Sequence, residues 1–227
     1  MSSIISKASQ AIQIWNEVRN NPVAVINYFN QSTYFKITKE DYLIWKDSDP
    51  EFIHAYMGLV PNTAQGNFSL SLFSVDSVTD QNPVESHWEL FEAKIRQNPY
   101  EAAVIPDPSM TLVEKSNEGE ITPLEGLTRS IQWALHKDVW IEGQEDLVLV
   151  FKIPFHDLKV LFENELADYI ILSPALNEQE EANVFKIDLI LWGYNANGIT
   201  WNKPMDLIRP RPPFKSPSNY QLLSYAL

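Results

Sequence analysis

The chain has 227 residues, 30 of them acidic and 17 basic, for a formal net charge of −13, and it contains no cysteine. Structural disulfides, thiolate catalysis and zinc centres that need Cys ligands are thereby excluded, and the scarcity of Lys and Arg argues against a nucleic-acid footprint. No apolar run approaches ~18 residues and no basic leader precedes an apolar block, so the sequence predicts a cytoplasmic protein that neither spans a membrane nor needs cross-links to hold a core.

Ile4, Ile5, Ala8, Ile12, Trp15 and Val18 recur at helical spacing, which predicts an amphipathic helix over roughly 3–19. Asn20-Asn21-Pro22 breaks it, and Pro22 suits the first turn of a second helix that turns Val25, Ile26 and Phe29 inward. Thr38, with Asp41 three residues on, is a carboxylate form of the capping box. It opens a helix carrying Tyr42, Leu43 and Trp45 that ends before Asp49-Pro50. Two strand-like runs follow, Phe52 to Leu59 and Phe68 to Val75. In the second, Phe68, Leu70 and Leu72 alternate with serines until Phe73 interrupts. Pro61 to Asn67 reads as the hairpin loop between them, and Ser86 to Ile95 as a third strand. Residues 106–120 are loop-like, with a unit boundary near 117–120. Thr122-Pro123-Leu124-Glu125 then supplies an N-cap, a proline at the first helical position and a first-turn acid, opening a helix through Leu127, Ile131, Trp133, Ala134 and Leu135.

The order now recurs. Phe151-Lys152-Ile153 echoes Phe35-Lys36-Ile37 at an offset of 116, and Asp157-Leu158 stands where Asp41-Tyr42 stood. The run Asp168 to Leu172 corresponds to the one from Phe52. Phe185-Lys186-Ile187-Asp188-Leu189 matches Phe68-Ser69-Leu70-Ser71-Leu72 at an offset of 117. The fold class read from this is α+β: two diverged copies of a helix–helix–β-hairpin unit, residues 1–118 and 119–208, packed as one pseudo-symmetric body. An extended, basic, Pro-rich tail, 209–227, completes the chain.

The pattern Ile37-Thr38-x-Glu40, Trp45, Tyr56-x-Gly58, Phe68-x-Leu70-x-Leu72-x-x-Val75-Asp76 resembles a family of small, functionally uncharacterised bacterial proteins in which an Ile-Thr-x-Glu helix leads into a β-hairpin. Trp192-Gly193-Tyr194, with the turn Asn197-Gly198, is similar to the same ending. Ser74 departs from the glycine that the family favours there. The resemblance implies a fold unit, here duplicated, and neither an activity nor a site.

A search for chemistry yields no catalytic residue, cofactor site or metal site. His54, His87, His136 and His156 share no ligand spacing. His87-Trp88-Glu89 on a strand would place imidazole and carboxylate on one face, but a solvated face is the simpler reading. Asp157 beside His156 reads as a first-turn carboxylate at a helix start, and His54 as a packed, satisfied histidine. There is no Gly-x-Ser-x-Gly elbow and no Gly-rich phosphate loop, and Glu178-Gln179-Glu180-Glu181 lacks the pattern of a calcium loop.

Two features suggest surfaces instead. Seven tryptophans are present, several near predicted element ends. Arg209-Pro210-Arg211-Pro212-Pro213-Phe214 should run extended as polyproline II. The expected interaction surface therefore comprises Trp88, Trp192, Trp201, Arg209, Arg211 and Phe214, with a protein as the partner. The function expected is a non-catalytic protein-interaction module. The alternatives are small-molecule or peptide binding in a groove between the two copies, and an enzyme using convergent His and carboxylate residues.

Overall fold

The computed structural model describes residues 3–30, 34–62, 67–81, 91–94, 120–178, 185–195, 198–199, 204–206, 209–211 and 220–226. Its first half runs α1 (Ser3–Val18), α2 (Pro22–Asn30), β1 (Phe35–Thr38), α3 (Lys39–Lys46), β2 (Phe52–Asn62), β3 (Asn67–Asp76), α4 (Ser77–Gln81) and β4 (Phe91–Lys94). The second runs α5 (Pro123–Glu142), β5 (Val150–Pro154), α6 (Phe155–Lys159) continuing into a π turn (Val160–Asn164), β6 (Tyr169–Glu178), β7 (Phe185–Asn195), β8 (Gly198–Ile199), β9 (Arg209–Arg211) and α7 (Gln221–Ala226). The chain is thus a mixed α+β protein with two antiparallel sheets. No helix among the described residues is long and apolar enough to cross a membrane.

Local chemistry sets the helix starts. Thr38 accepts from the Asp41 amide at 3.3 Å, while Asp41 Oδ2 accepts from the Thr38 amide at 2.8 Å, a closed capping box. Thr122 accepts from the Glu125 amide at 3.1 Å, and Pro123 fills the position where a missing N–H costs nothing. The helix it opens extends to Glu142, one and a half turns or more beyond the apolar run read in the sequence. Asp49 and Leu166 have φ of 41° and 56°, and each turns the chain from a helix into a hairpin. Neither is glycine, so each left-handed residue costs about 1–2 kcal/mol, which the packed hairpins on either side offset.

The strand pairing does not follow the order of the chain. The hairpin β2–β3 forms the centre of one sheet, in the order β4-β3-β2-β5-β9, and β6–β7 forms the centre of the other, β1-β6-β7-β8. Each hairpin is completed by the short strand from the other half. β1 pairs with β6, setting Ile37 opposite Ile170 and Thr38 opposite Tyr169. β5 pairs with β2, setting Ile153 opposite Ile53 and Pro154 opposite Phe52. The two registers coincide once the second half is shifted by 116–117 residues.

This crossing gives both halves a common interior. One continuous cluster joins Trp15, Phe29, Phe35, Ile37, Ile53, Met57 and Leu70 to Phe151, Ile153, Leu161, Ile170, Leu189 and Leu191. Each such side chain contributes about 1.5–3 kcal/mol through burial. Trp15 donates its indole N–H to the Val148 carbonyl at 2.9 Å, so a helix of the first half is fastened to the strand approach of the second.

Two expectations are corrected. Trp192 is not a surface residue: it is 1% exposed, in a second cluster with Tyr34, Ile121, Ile171 and Ile190. Its ring packs so closely on α5 that a Cβ at Gly126 would lie 2.9 Å from it. The described parts of 209–227 are extended at Arg209–Arg211 but helical at Gln221–Ala226. Arg209–Arg211 add an edge strand to β5, where Pro210 is tolerated because one side of an edge strand needs no donor. Tyr220, Leu222 and Leu223 enter a cluster with Ile5, Ala8 and Ile12 of α1, and Ser9 donates to the Tyr225 carbonyl at 2.6 Å. Trp88, Trp201 and Phe214 lie outside the described residues, as do His87 and Glu89. For Arg209 and Arg211 only the backbone is described.

Gly58 is fixed by close approach, since a Cβ there would lie 2.8 Å from Phe73 Cε2 and 3.0 Å from the Ala11 Cβ of α1. Gly58→Ala should therefore lower stability by about 1–3 kcal/mol by forcing α1 off the sheet, measured by chemical denaturation. Unchanged stability would mean that this contact is not tight.

Candidate functional site

Three places concentrate polar chemistry or exposed apolar surface, and the first is α5. Its inner face carries Gly126, Trp133 and Ile141, and Trp140 donates to the Phe185 carbonyl at 2.9 Å. Its outer face is apolar as well. Leu124, Ile131, Leu135 and Val139 are 58%, 46%, 71% and 74% exposed. They recur at spacings of seven, four and four, so one stripe about 22 Å long faces outward from a helix rising ~1.5 Å per residue. Beside its N-terminal half lies an open groove of about 470 Å³, walled by Thr122, Leu124, Glu125, Thr128, Arg129 and Gln132 from α5 and by Leu176, Asn177 and Glu178 from β6. Leu124 belongs to both the groove and the stripe. All these walls follow residue 119, so this groove is not formed between the two halves.

The second place is a seam of carboxylates behind the groove. Residues 204–206 form a strap held at both edges. Ile121 donates its amide to the Pro204 carbonyl at 3.0 Å, while Leu191 and Met205 exchange amide–carbonyl bonds at 3.0 and 3.2 Å. Asp206 on the strap bonds the Arg129 guanidinium, which also meets Glu125 at 2.6 Å and Asp188 more distantly at 3.4 Å. Glu120, Asp157 and Asp188 are buried around it. Burial, reinforced by Asp206, pushes the Asp188 carboxyl up to about 8, against the Leu189 amide and Arg129, which favour its charge. Burial first, then Asp206 and Glu120, pushes Asp157 up to about 7. Neither Asp157 oxygen has a hydrogen-bond partner among the described residues.

The third place is a buried triad below α7. His54 Nδ1 lies 2.5 Å from Asp80 Oδ2, the Tyr56 hydroxyl donates to the same oxygen, and the Leu222 amide donates to Asp80 Oδ1 at 3.1 Å. Tyr220 covers the imidazole with ring centroids 4.5 Å apart. Burial, with Asp80 beside it, holds the Tyr56 hydroxyl well above its ordinary range, so Tyr56 is a neutral donor. A His–Asp pair of this kind could orient a base. Here every member is interior, and the Asp80 carboxylate serves to tie the C-terminal helix down through the Leu222 amide.

His54 is thus the satisfied packing histidine that its aromatic neighbours suggested, while its partner Asp80, 26 residues away, carries no sequence signal. His136 and His156 are exposed and join none of these groups. Asp157 does stand in the first turn of a helix, where it is buried and, among the described residues, unbonded. No group of three or more His, Asp or Glu side chains among the described residues could hold a metal ion. No family model matches the chain, and no curated protein or solved structure matches it.

Asp80→Ala should cost about 3–5 kcal/mol, because it strands buried donors on His54, Tyr56 and Leu222 at once. Amide exchange at residues 220–226 should rise with it, read by hydrogen-exchange mass spectrometry. A variant as protected there as the parent would show that Asp80 does not hold the C-terminal helix.

Proposed function

We propose that the chain is a non-catalytic protein-interaction module that docks a partner on the outer face of α5. The observation carrying this reading is the stripe of Leu124, Ile131, Leu135 and Val139, large aliphatic side chains left open on a helix whose other face is fully used. Helical spacing favours a partner that presents an apolar helix into which these side chains interlock. The net charge of −13, with Glu125, Asp138 and Glu142 on α5 itself, favours basic residues flanking that helix. A second reading rests on the groove: Leu124 and Leu176 beside Arg129, Gln132 and Glu178 suit a short peptide or small polar–apolar ligand that continues onto the stripe.

The scaffold for this surface we infer to be a duplicated unit. Three observations support that reading. The two short strands take reciprocal places in matching register. The two left-handed residues, Asp49 and Leu166, fall 117 positions apart. Helices α3 and α6, the first capped and the second not, each carry an aspartate at the third position. In this view the two copies have divided roles, the second exposing on α5 what the first buries on α1.

Leu135→Glu combined with Val139→Glu should leave stability within about 0.5 kcal/mol, both side chains being solvated. The same variant should weaken retention of a stoichiometric partner at least tenfold, as loss of a central apolar anchor does. Equal retention by parent and variant, with both folded by circular dichroism, would remove α5 as the docking surface.

A further inference from the structure

We propose that Asp157 and Asp188, with the Asp206 and Glu120 carboxylates facing them, form a proton-binding site that fastens the 204–206 strap to α5 and β7 when protonated and loosens it when ionised.

Two helix starts share an aspartate at the third position and differ in the residue that precedes the first turn, Thr38 in one and Pro154 in the other. In α3, Asp41 Oδ2 accepts from both the amide and the hydroxyl of Thr38, at 2.8 and 2.9 Å. In α6 the residue before the first turn is Pro154, which has neither group, and no side chain caps that helix. Asp157 keeps the third position and is 1% exposed, yet both its oxygens are without a partner among the described residues. An ionised carboxylate so placed carries the full cost of desolvation, whereas its neutral acid does not.

The surroundings push the same way. Facing Asp157 are Asp206 from the strap and Glu120 from the approach to α5. Asp188 of β7 faces Asp206 in turn. Arg129 of α5 is already shared by Asp206, Glu125 and Asp188. Among the described residues, the lysines of α6 and β5 are engaged elsewhere: Lys159 pairs with Asp49, and Lys152 lies over the Phe52 ring. His156 of α6 is exposed. With burial and two acids acting on it, Asp157 titrates near 7, and Asp188 near 8. The folded chain therefore keeps protons that the unfolded chain has released above pH ~4. Stability falls as pH climbs from about 4 to about 7–8, by up to roughly a thousandfold in the folding equilibrium for Asp157 alone, and is level beyond.

The strap is where the charge must be felt, because Asp206 adjoins Met205, whose amide and carbonyl join β7 and whose neighbour Pro204 joins Ile121. The test is a side-chain carboxyl 13C NMR titration of the full chain with amide exchange at Leu191 and Met205, the exchange corrected for its intrinsic pH dependence. Two carboxyls should titrate between pH 6 and 9, with strap protection falling over the same interval. Asp157→Asn should abolish one titration and flatten the pH dependence of unfolding. Pro154→Thr, which restores both donors, should return Asp157 to below pH 5, and it tests the site even if the first variant fails to fold. Carboxyl titrations confined below pH 5 in the parent would overturn the proposal. So would stabilisation of the parent, and not of Asp157→Asn, by millimolar Ca²⁺ at pH 8, which would make the seam a cation site.

Discussion

The structure depends on the crossing of two four- and five-residue strands. β1 lies in the sheet of the second hairpin and β5 in that of the first, with Ile37 against Ile170 and Ile153 against Ile53. Neither hairpin has its inner edge satisfied by its own half, and unpaired edges of backbone donors and acceptors are unfavourable inside a protein. Because the crossing strands also carry Phe35 and Phe151 into the interior, one apolar cluster serves both halves. The positions of α1, α3, α5 and α6 around it follow from that shared core.

Positions 116–117 residues apart behave differently in the two halves, and the contrast lies in single side chains. Thr38 closes a capping box where Pro154 cannot, so one aspartate is satisfied and its counterpart is orphaned. On the helices that precede the hairpins, α1 turns Ala8, Ala11, Ile12 and Trp15 into the protein, while α5 leaves a comparable set of aliphatic residues in water. The polar character of the seam and the apolar character of α5 both lie in the second half. There they share Arg129, which walls the groove on one side and bonds Asp206 on the other.

Much of the fold was legible in the sequence because it is encoded locally. The Thr38 and Thr122 caps, the break at Pro22, the alternation from Phe68 and the spacing of the second set of elements all follow from short-range geometry. The pairing of β1 was not legible, since a four-residue strand carries no local record of a partner more than 130 residues away. Trp192 sits near a turn, where an aromatic could face either way; long-range packing against Tyr34, Ile121 and the open space at Gly126 encloses it. Leu222-Leu223 is the signal in the C-terminal segment that the prolines obscured. For Asp157 the missing donor at Pro154 could be read by comparing it with Thr38, whereas its burial could not.

The crossing also dictates an order of events during synthesis. Residues 52–76 can close a hairpin as soon as they emerge, but the edge at Phe52–Tyr56 waits for Val150–Pro154, and β1 waits for Tyr169–Leu172. Such long-range closures slow folding. An emerging chain therefore presents an open, largely apolar strand edge for the several seconds needed to make about 80 further residues at ~5–20 per second. A fold whose finished sheets are mutually completed is, while it is being made, a template for pairing with its neighbours on the same message.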